Sequence, residues 1–329
     1  KASKQDGSEP QNAIYAASFK KSDAHFPLVW NRGSKAVHAL NITPRYAASS
    51  ARVISIADVE KMLQEQSLSD LRDSEEIKKK TLAVSDLDEV AALVWAAYKR
   101  ECLADEERKR EHNGRAIRVD EKTMRYAYKR VGAKPEQGYP LYIALHGGGG
   151  APKSVNDGQW LHMQKYYLAG VTNGIYLAPR GVTDTWNLHF VQESYLCYDR
   201  LIDNMIVFEG VDPNRVHVMG YSAGGDGVYQ IGARMADRWA AAAMSAGHHN
   251  GVSAVNYANL PLLIQLGAKD HAYKRNTAAA EYGNTLTALR EGEPSLYVHD
   301  VFLHVGRGHG FMDRDPRGSP QRVFVDPNE

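Results

Sequence analysis

The stretch RVHVMGYSAGGDGVYQIGARMADRW, residues 215–239, changes its period halfway along. Its opening is apolar and β-branched in the manner of a buried strand. From Val228 the apolar residues recur three and four apart (Val228, Ile231, Met235), as on one face of a helix. Between the two lies Gly220-Tyr221-Ser222-Ala223-Gly224, which fits G-x-S-x-G in the strand–turn–helix setting that this motif requires. A serine lifted above a sheet edge on so sharp a turn brings the residues two before and two after it against neighbouring backbone, where glycines remove the collision. Placed at a helix start, Ser222 also has unpaired backbone N–H groups and the positive end of the helix dipole beside it. Ser222 is therefore the candidate nucleophile, and the N–H of Ala223 a candidate donor to the charge formed when it attacks.

Apolar runs recur on both sides of this stretch: GYPLYIALHG, GIYLAP, AAAAMSAG, PLLIQLG and YVHDVFLHV. Segments of helical period, such as LCYDRLIDNMIVFEG, separate several of them. This alternation predicts an α/β fold with a mostly parallel central sheet and helices on both faces. RAIRV and TMRYAYKRV, just upstream, alternate in the way an antiparallel pair does. Before them, SIADVEKMLQEQ opens on a capping-box-like Ser55 and Asp58, and SDLDEVAALVWAAYKREC carries the stripe Leu87, Val90, Ala91, Val94, Tyr98. The reading is an N-terminal helical extension over 1–115 and a catalytic domain over 116–329, with the apolar stripes of the extension packing on the catalytic domain or covering part of it. The charged tract DEERKREH and HNGR lie near the boundary.

A nucleophilic serine needs oxyanion donors, a base and an orienting acid. LHGGGGAP ends an apolar strand, and its Gly147 and Gly148 offer N–H groups that can approach a tetrahedral centre closely. A phosphate cradle is the rival for a run of glycines, but no lysine comes after it in the Walker pattern and no dinucleotide fingerprint is present. Asp270 stands at the exit of LPLLIQLGAKDHAY and His309 at that of VFLHVGRGHGF, in the chain order serine, acid, histidine. Asp300 sits within a strand pattern, Asp313 comes after the histidine, and Asp226 reads as a solvated or capping carboxylate. Among the 13 histidines, His309 is favoured over His304. Trp186 in TDTWN, His248 and His249 in SAGHHNG, and Tyr221 are candidates for the substrate pocket.

The balance of the chain bounds the rest. A formal net charge of +1 provides no field to steer a polyanion, so no nucleic-acid partner is expected. No apolar run approaches the ~18 residues of a membrane helix, and no His, Cys or acidic spacing fits a metal, so neither membrane, metal nor cofactor is expected. Cys102 and Cys197 are read as two buried thiols rather than a bridge. The chain opens on KASKQDGSEP without methionine, which suggests a removed leader and a secreted or periplasmic protein, with a cytoplasmic one left open. The oligomeric state is not specified.

LHGGGG, DPNRVHVMGYSAGGDGVYQIGARMADRWAAAAMSAG, LIQLGAKD and GRGHGF resemble the α/β-hydrolase superfamily, in particular its polyhydroxybutyrate-depolymerase-like and feruloyl-esterase-like branch. The resemblance spans about residues 125–315, and the first 115 residues resemble no family. It implies Ser222 as nucleophile, Asp270 as acid, His309 as base, and oxyanion donors at Ala223 and around Gly147 and Gly148. The function expected is hydrolysis of a carboxylic ester, small or polymeric, through an acyl-enzyme. The alternatives are a serine peptidase of prolyl-oligopeptidase type, and a hydrolase fold that binds without catalysis.

Overall fold

A computed structural model of the chain describes residues 53–310, and Asp313 lies outside them. The chain divides into two compact units, Lys1–Lys109 and Arg110–Glu329.

In the first unit, helix α1 (Ile56–Glu65) starts with the capping box read from the sequence. The Asp58 N–H donates to Ser55 Oγ (3.2 Å) and the Ser55 N–H to Asp58 Oδ2 (2.9 Å), pairing two of the donors that a helix start leaves without partners. A short helix α2 (Leu68–Asp73) comes next, then the long α3 (Leu87–Ala104). The stripes of α1 and α3 meet each other within the unit. Val59 and Leu63 pack with Leu71, Val90, Val94, Ala97 and Ile54 into a core of the unit's own. Two neighbours on α3 fasten the other helices: the Arg100 guanidinium donates to the Leu63 carbonyl, and Glu101 accepts from the Leu68 N–H, both at 2.8 Å. The charged tract is itself a helix, α4 (Glu106–Gly114), and the division into units falls within it.

The second unit holds one eight-stranded sheet in the order β1-β2-β4-β3-β5-β6-β7-β8. Strands β1 (Ala116–Val119) and β2 (Lys122–Val131) pair antiparallel, and β2 pairs antiparallel with β4 (Gly174–Pro179). From β4 through β3 (Tyr139–Leu145), β5 (Val211–Tyr221), β6 (Ala241–Ser245), β7 (Leu262–Gly267) and β8 (His299–His304), every pairing is parallel. Parallel strands require crossovers, which the helical segments supply.

Strand β3 shows why its sequence is apolar throughout. Its alternate residues Tyr142 and Ala144 join a cluster with Met163 of helix α5 (Lys153–Tyr166). Leu145 points to the opposite face, toward Gly227 of helix α7 (Ala223–Arg234). Both faces are covered, so no position on the strand is left for a polar residue. Helices α6 (Gln192–Asn204) and α8 (Arg275–Gly292) complete the layers. The carboxyl ends of β3, β5, β7 and β8 point the same way, which brings the glycine run, Ser222, Asp270 and His309 to one edge of the sheet.

Candidate active site

Ser222 occupies the turn between β5 and α7 with φ 59° and ψ −120°. A non-glycine residue held there costs on the order of 1–3 kcal/mol, and the surroundings must impose it. They do so by close backbone approach. A Cβ added at Gly224 would stand 2.1 Å from the Leu145 carbonyl oxygen, and one at Gly220 would stand 2.3 Å from that of Gly224. The Ser222 N–H is tied to the Ser245 carbonyl (2.9 Å), while its hydroxyl makes no capping bond to α7.

That hydroxyl lies 2.9 Å from His309 Nε2, and His309 Nδ1 lies 2.7 Å from Asp270 Oδ2. Because the Asp270 carboxylate accepts, Nδ1 carries the ring hydrogen and Nε2 is left to accept from Ser222. The Asp270 side chain is 1% exposed and that of His309 41%, so the acid is sealed beneath a ring that faces the site. The two loops meet because of Gly267. The backbone of Arg307 and Gly308 crosses the end of β7 so closely that a Cβ at 267 would stand 2.1 Å from the Gly308 oxygen. The Lys269 N–H then donates to the Arg307 carbonyl (2.7 Å). Tyr221 adds a further tie, its hydroxyl donating to the His309 carbonyl.

Gly147 comes against the serine from the end of β3, where an added Cβ would lie 3.3 Å from Ser222 Cβ. Ala223 opens α7, so its N–H has no helical carbonyl to bond. Beside Gly147 is a cavity of about 430 Å³, lined by Gln159, His162, Met163, Tyr166, Tyr221 and Gly310. The Tyr166 and Tyr221 rings meet edge to face with centroids 5.3 Å apart.

The other singled-out residues do not line this cavity. Trp186 is 57% exposed, its ring edge-on to Phe190 and its backbone against Gly149. His248 and His249 stack on each other, and His249 continues into a cluster with Tyr229 and Tyr282. His304 is buried, with Nε2 3.4 Å from Gln265 Oε1. Asp226 is not the solvated or capping carboxylate read from the sequence. It is 8% exposed and accepts from the His248 N–H (2.8 Å) and from Asn250 Nδ2 (3.0 Å), fixing the turn after β6. Burial raises its pKa despite those bonds.

Sequence reading passes over three further residues that shape this edge. His189 Nε2 lies 2.9 Å from the His146 carbonyl, and Asn156 Oδ1 accepts from the Gly149 N–H (2.9 Å). Gly267 permits the close crossing at the end of β7. None belongs to a local pattern: Asn156 looks like any polar residue near a helix start, and His189 like any loop histidine. Only the approach of the glycine run identifies them.

Cys102 and Cys197 are buried thiols that are not joined in a disulfide, and burial pushes the Cys197 thiol up to about 12. Among the described residues no group of His, Cys, Asp and Glu is placed to hold a metal ion. No described helix is long and apolar enough to cross a membrane.

Residues 189–324 match the model of the dienelactone hydrolase family. Among curated proteins none matches the chain. Solved structures with a similar chain path include a dipeptidyl aminopeptidase IV-type protein from Bacteroides ovatus (14% identity, TM-score 0.46, covering 63% of this chain and 33% of that one). A thermostable esterase (20%, 0.43, 63% and 57%) and LpqC, a poly(3-hydroxybutyrate) depolymerase from Bordetella parapertussis (16%, 0.45, 59% and 84%), are also similar over part of their length. The chain thus spans about a third of the Bacteroides protein and somewhat over half of the thermostable esterase. The second unit thus combines a mostly parallel eight-stranded sheet and a serine turn of α/β-hydrolase type with a match to the dienelactone hydrolase family over residues 189–324.

Proposed function

We propose that this domain hydrolyses carboxylic esters through an acyl-enzyme on Ser222. His309 Nε2 takes the hydroxyl proton as Ser222 Oγ attacks the ester carbonyl. Asp270 holds the ring in the required tautomer and stabilises the imidazolium that forms. The N–H of Ala223, with that of Gly147 or Gly148, holds the tetrahedral oxyanion. His309 returns its proton to the departing alcohol, the C–O bond breaks, and an acyl-Ser222 ester remains. Water then attacks that ester, deprotonated by His309, releasing the acid and restoring the serine. Every atom in the cycle comes from the ester, water and Ser222. The observation that carries the reading is the unbroken line Asp270–His309–Ser222, with contacts of 2.7 and 2.9 Å, ending beside Gly147.

The cavity lined by Tyr166, Tyr221, Met163, His162 and Gln159 suits one arm of the ester, apolar or aromatic, with polar groups at its rim. The test is a panel of acetyl, butyryl, longer-chain and feruloyl esters beside aminoacyl and dipeptidyl anilides, each run with the wild type and with Ser222→Ala. Ester turnover lost in Ser222→Ala supports the proposal. Cleavage of the anilides alone would turn it into a peptidase, and no turnover at all into a binding protein.

A further inference from the structure

The ester mechanism leaves two buried histidines and a buried asparagine without a part, although all three converge on the glycine run. His146 and His189 are both 0% exposed, with rings edge-on and centroids 4.7 Å apart, and Asn156 is likewise 0% exposed. Polar groups so deeply placed cost several kcal/mol unless each is bonded, and here the bonds fall on consecutive peptide groups of one loop.

The hydrogens on the two rings are fixed by their partners. The Gly181 N–H donates to His146 Nε2 (3.0 Å), so the His146 hydrogen is on Nδ1, which donates to the Gly147 carbonyl (2.6 Å). His189 Nε2 faces the His146 carbonyl (2.9 Å) and must donate, which leaves Nδ1 to accept from the Tyr198 hydroxyl (3.0 Å). In a planar trans peptide the N–H points opposite to the C=O. Holding the His146 carbonyl therefore aims the Gly147 N–H the other way, and holding the Gly147 carbonyl aims that of Gly148.

The third peptide is held from its nitrogen side. The Gly149 N–H donates to Asn156 Oδ1, which sits so tightly on the loop that a Cβ at Gly148 would stand 2.2 Å from it. Gly148, at φ +110°, admits no other residue. Asn156 Nδ2 donates to the Ala151 carbonyl and to Asp184 Oδ1, both at 3.0 Å. Asp184 and Asp157 in turn hold the buried Arg180 guanidinium, with Arg180 Nε 2.9 Å from Asp157 Oδ1.

We infer that His189, His146 and Asn156 are positioning residues, each locking one peptide plane of the His146–Gly149 loop so that the Gly147 and Gly148 N–H groups face the carbonyl oxygen of a bound ester. The inference rests on the ester-hydrolase reading of the Ser222 site. Burial keeps both rings neutral, holding His146 at about 4 and His189 well below the usual histidine range. Each nitrogen therefore keeps its role as donor or acceptor at neutral pH.

The test uses the full chain and compares paired variants. His189→Phe removes the donor to the His146 carbonyl, whereas His189→Gln keeps an N–H there. Asn156→Ala removes the acceptor for Gly149, whereas Asn156→Gln keeps an amide whose oxygen accepts and whose NH2 donates. For each variant kcat and KM are measured per titrated active site, together with the affinity of an alkylboronic acid, whose tetrahedral adduct places an oxygen where the oxyanion forms.

His189→Phe and Asn156→Ala should lower kcat about ten- to a hundredfold with KM within about twofold, and weaken the boronate in proportion. His189→Gln and Asn156→Gln should recover most of both. A role in stability alone would lower the melting temperature and leave kcat and boronate affinity per folded site at wild-type values, and that outcome overturns the inference. If His189→Phe does not fold, the Asn156 pair decides. A wild type that turns over no ester sinks the parent reading, whereas wild-type turnover unmoved by either pair sinks only the positioning role.

Discussion

Ser222 holds a left-handed backbone only because Gly220 and Gly224 let neighbouring carbonyls come within 2.1–2.3 Å of where their side chains would stand. Gly224→Ala forces the end of β3 away from the turn. It should cost about 1–3 kcal/mol in urea denaturation and remove most ester turnover by displacing the serine. Asp270→Asn leaves the shape of the site intact while losing the ionised acceptor that fixes the His309 tautomer. Its expected effect is a fall in kcat of about 10³–10⁴-fold, read with the best ester of the panel, at near-unchanged melting temperature. A loss under tenfold would contradict the orienting role.

The sequence makes Ser222 legible because glycine spacing and a change of period are local signals. Asp270 and His309 are legible as residues at strand exits. Asp226 is misread from sequence because its environment is built by the His248–Asn250 turn, 22 residues on, which nothing near Asp226 announces. His189 and Asn156 escape for the same reason.

At the level of elements, the strands are readable wherever both faces are buried, since a run such as YPLYIAL has no other economical use. Helices α1 and α3 are readable from their stripes, but the surface those stripes meet is not. They close on each other through Val59, Leu63, Val90 and Val94, a tertiary choice that periodicity does not encode. Helix α4 has no apolar stripe; Glu, Arg and Lys favour helix by propensity alone. The capping box of α1 is a local feature of this unit that a conservative change isolates. Ser55→Ala removes the acceptor for the Asp58 N–H and should destabilise α1 by about 1 kcal/mol. Hydrogen exchange across Ile56–Glu65 should accelerate accordingly, with no change in ester turnover; unaltered protection would mean that the cap contributes nothing.

For the molecule as a whole, the near-zero net charge leaves pH dependence to individual buried groups. His146 is held at about 4 by burial against an ordinary 6.5, and His189 is shifted the same way. As pH falls through about 6.5 the unfolded chain takes up these protons and the folded chain does not, so stability is fully present above that value. It declines toward about 4, His146 alone accounting for on the order of 3 kcal/mol. Asp226, raised by burial, works in the opposite direction at the lower end. The melting temperature should therefore fall from about pH 7 to about pH 4.5, and His146→Gln should flatten that slope; an equally steep slope in the variant would place the lost protons elsewhere.

The central claim is that a hydroxyl, an imidazole and a carboxylate from three loops at one sheet edge act as one unit. Treating the folded chain with a fluorophosphonate and mapping the adduct by peptide mass spectrometry tests it most directly. A single adduct on the peptide bearing Ser222, formed in step with loss of ester turnover and absent from Ser222→Ala and His309→Ala, is the result expected. An intact chain that hydrolyses esters while Ser222 stays unmodified would contradict it.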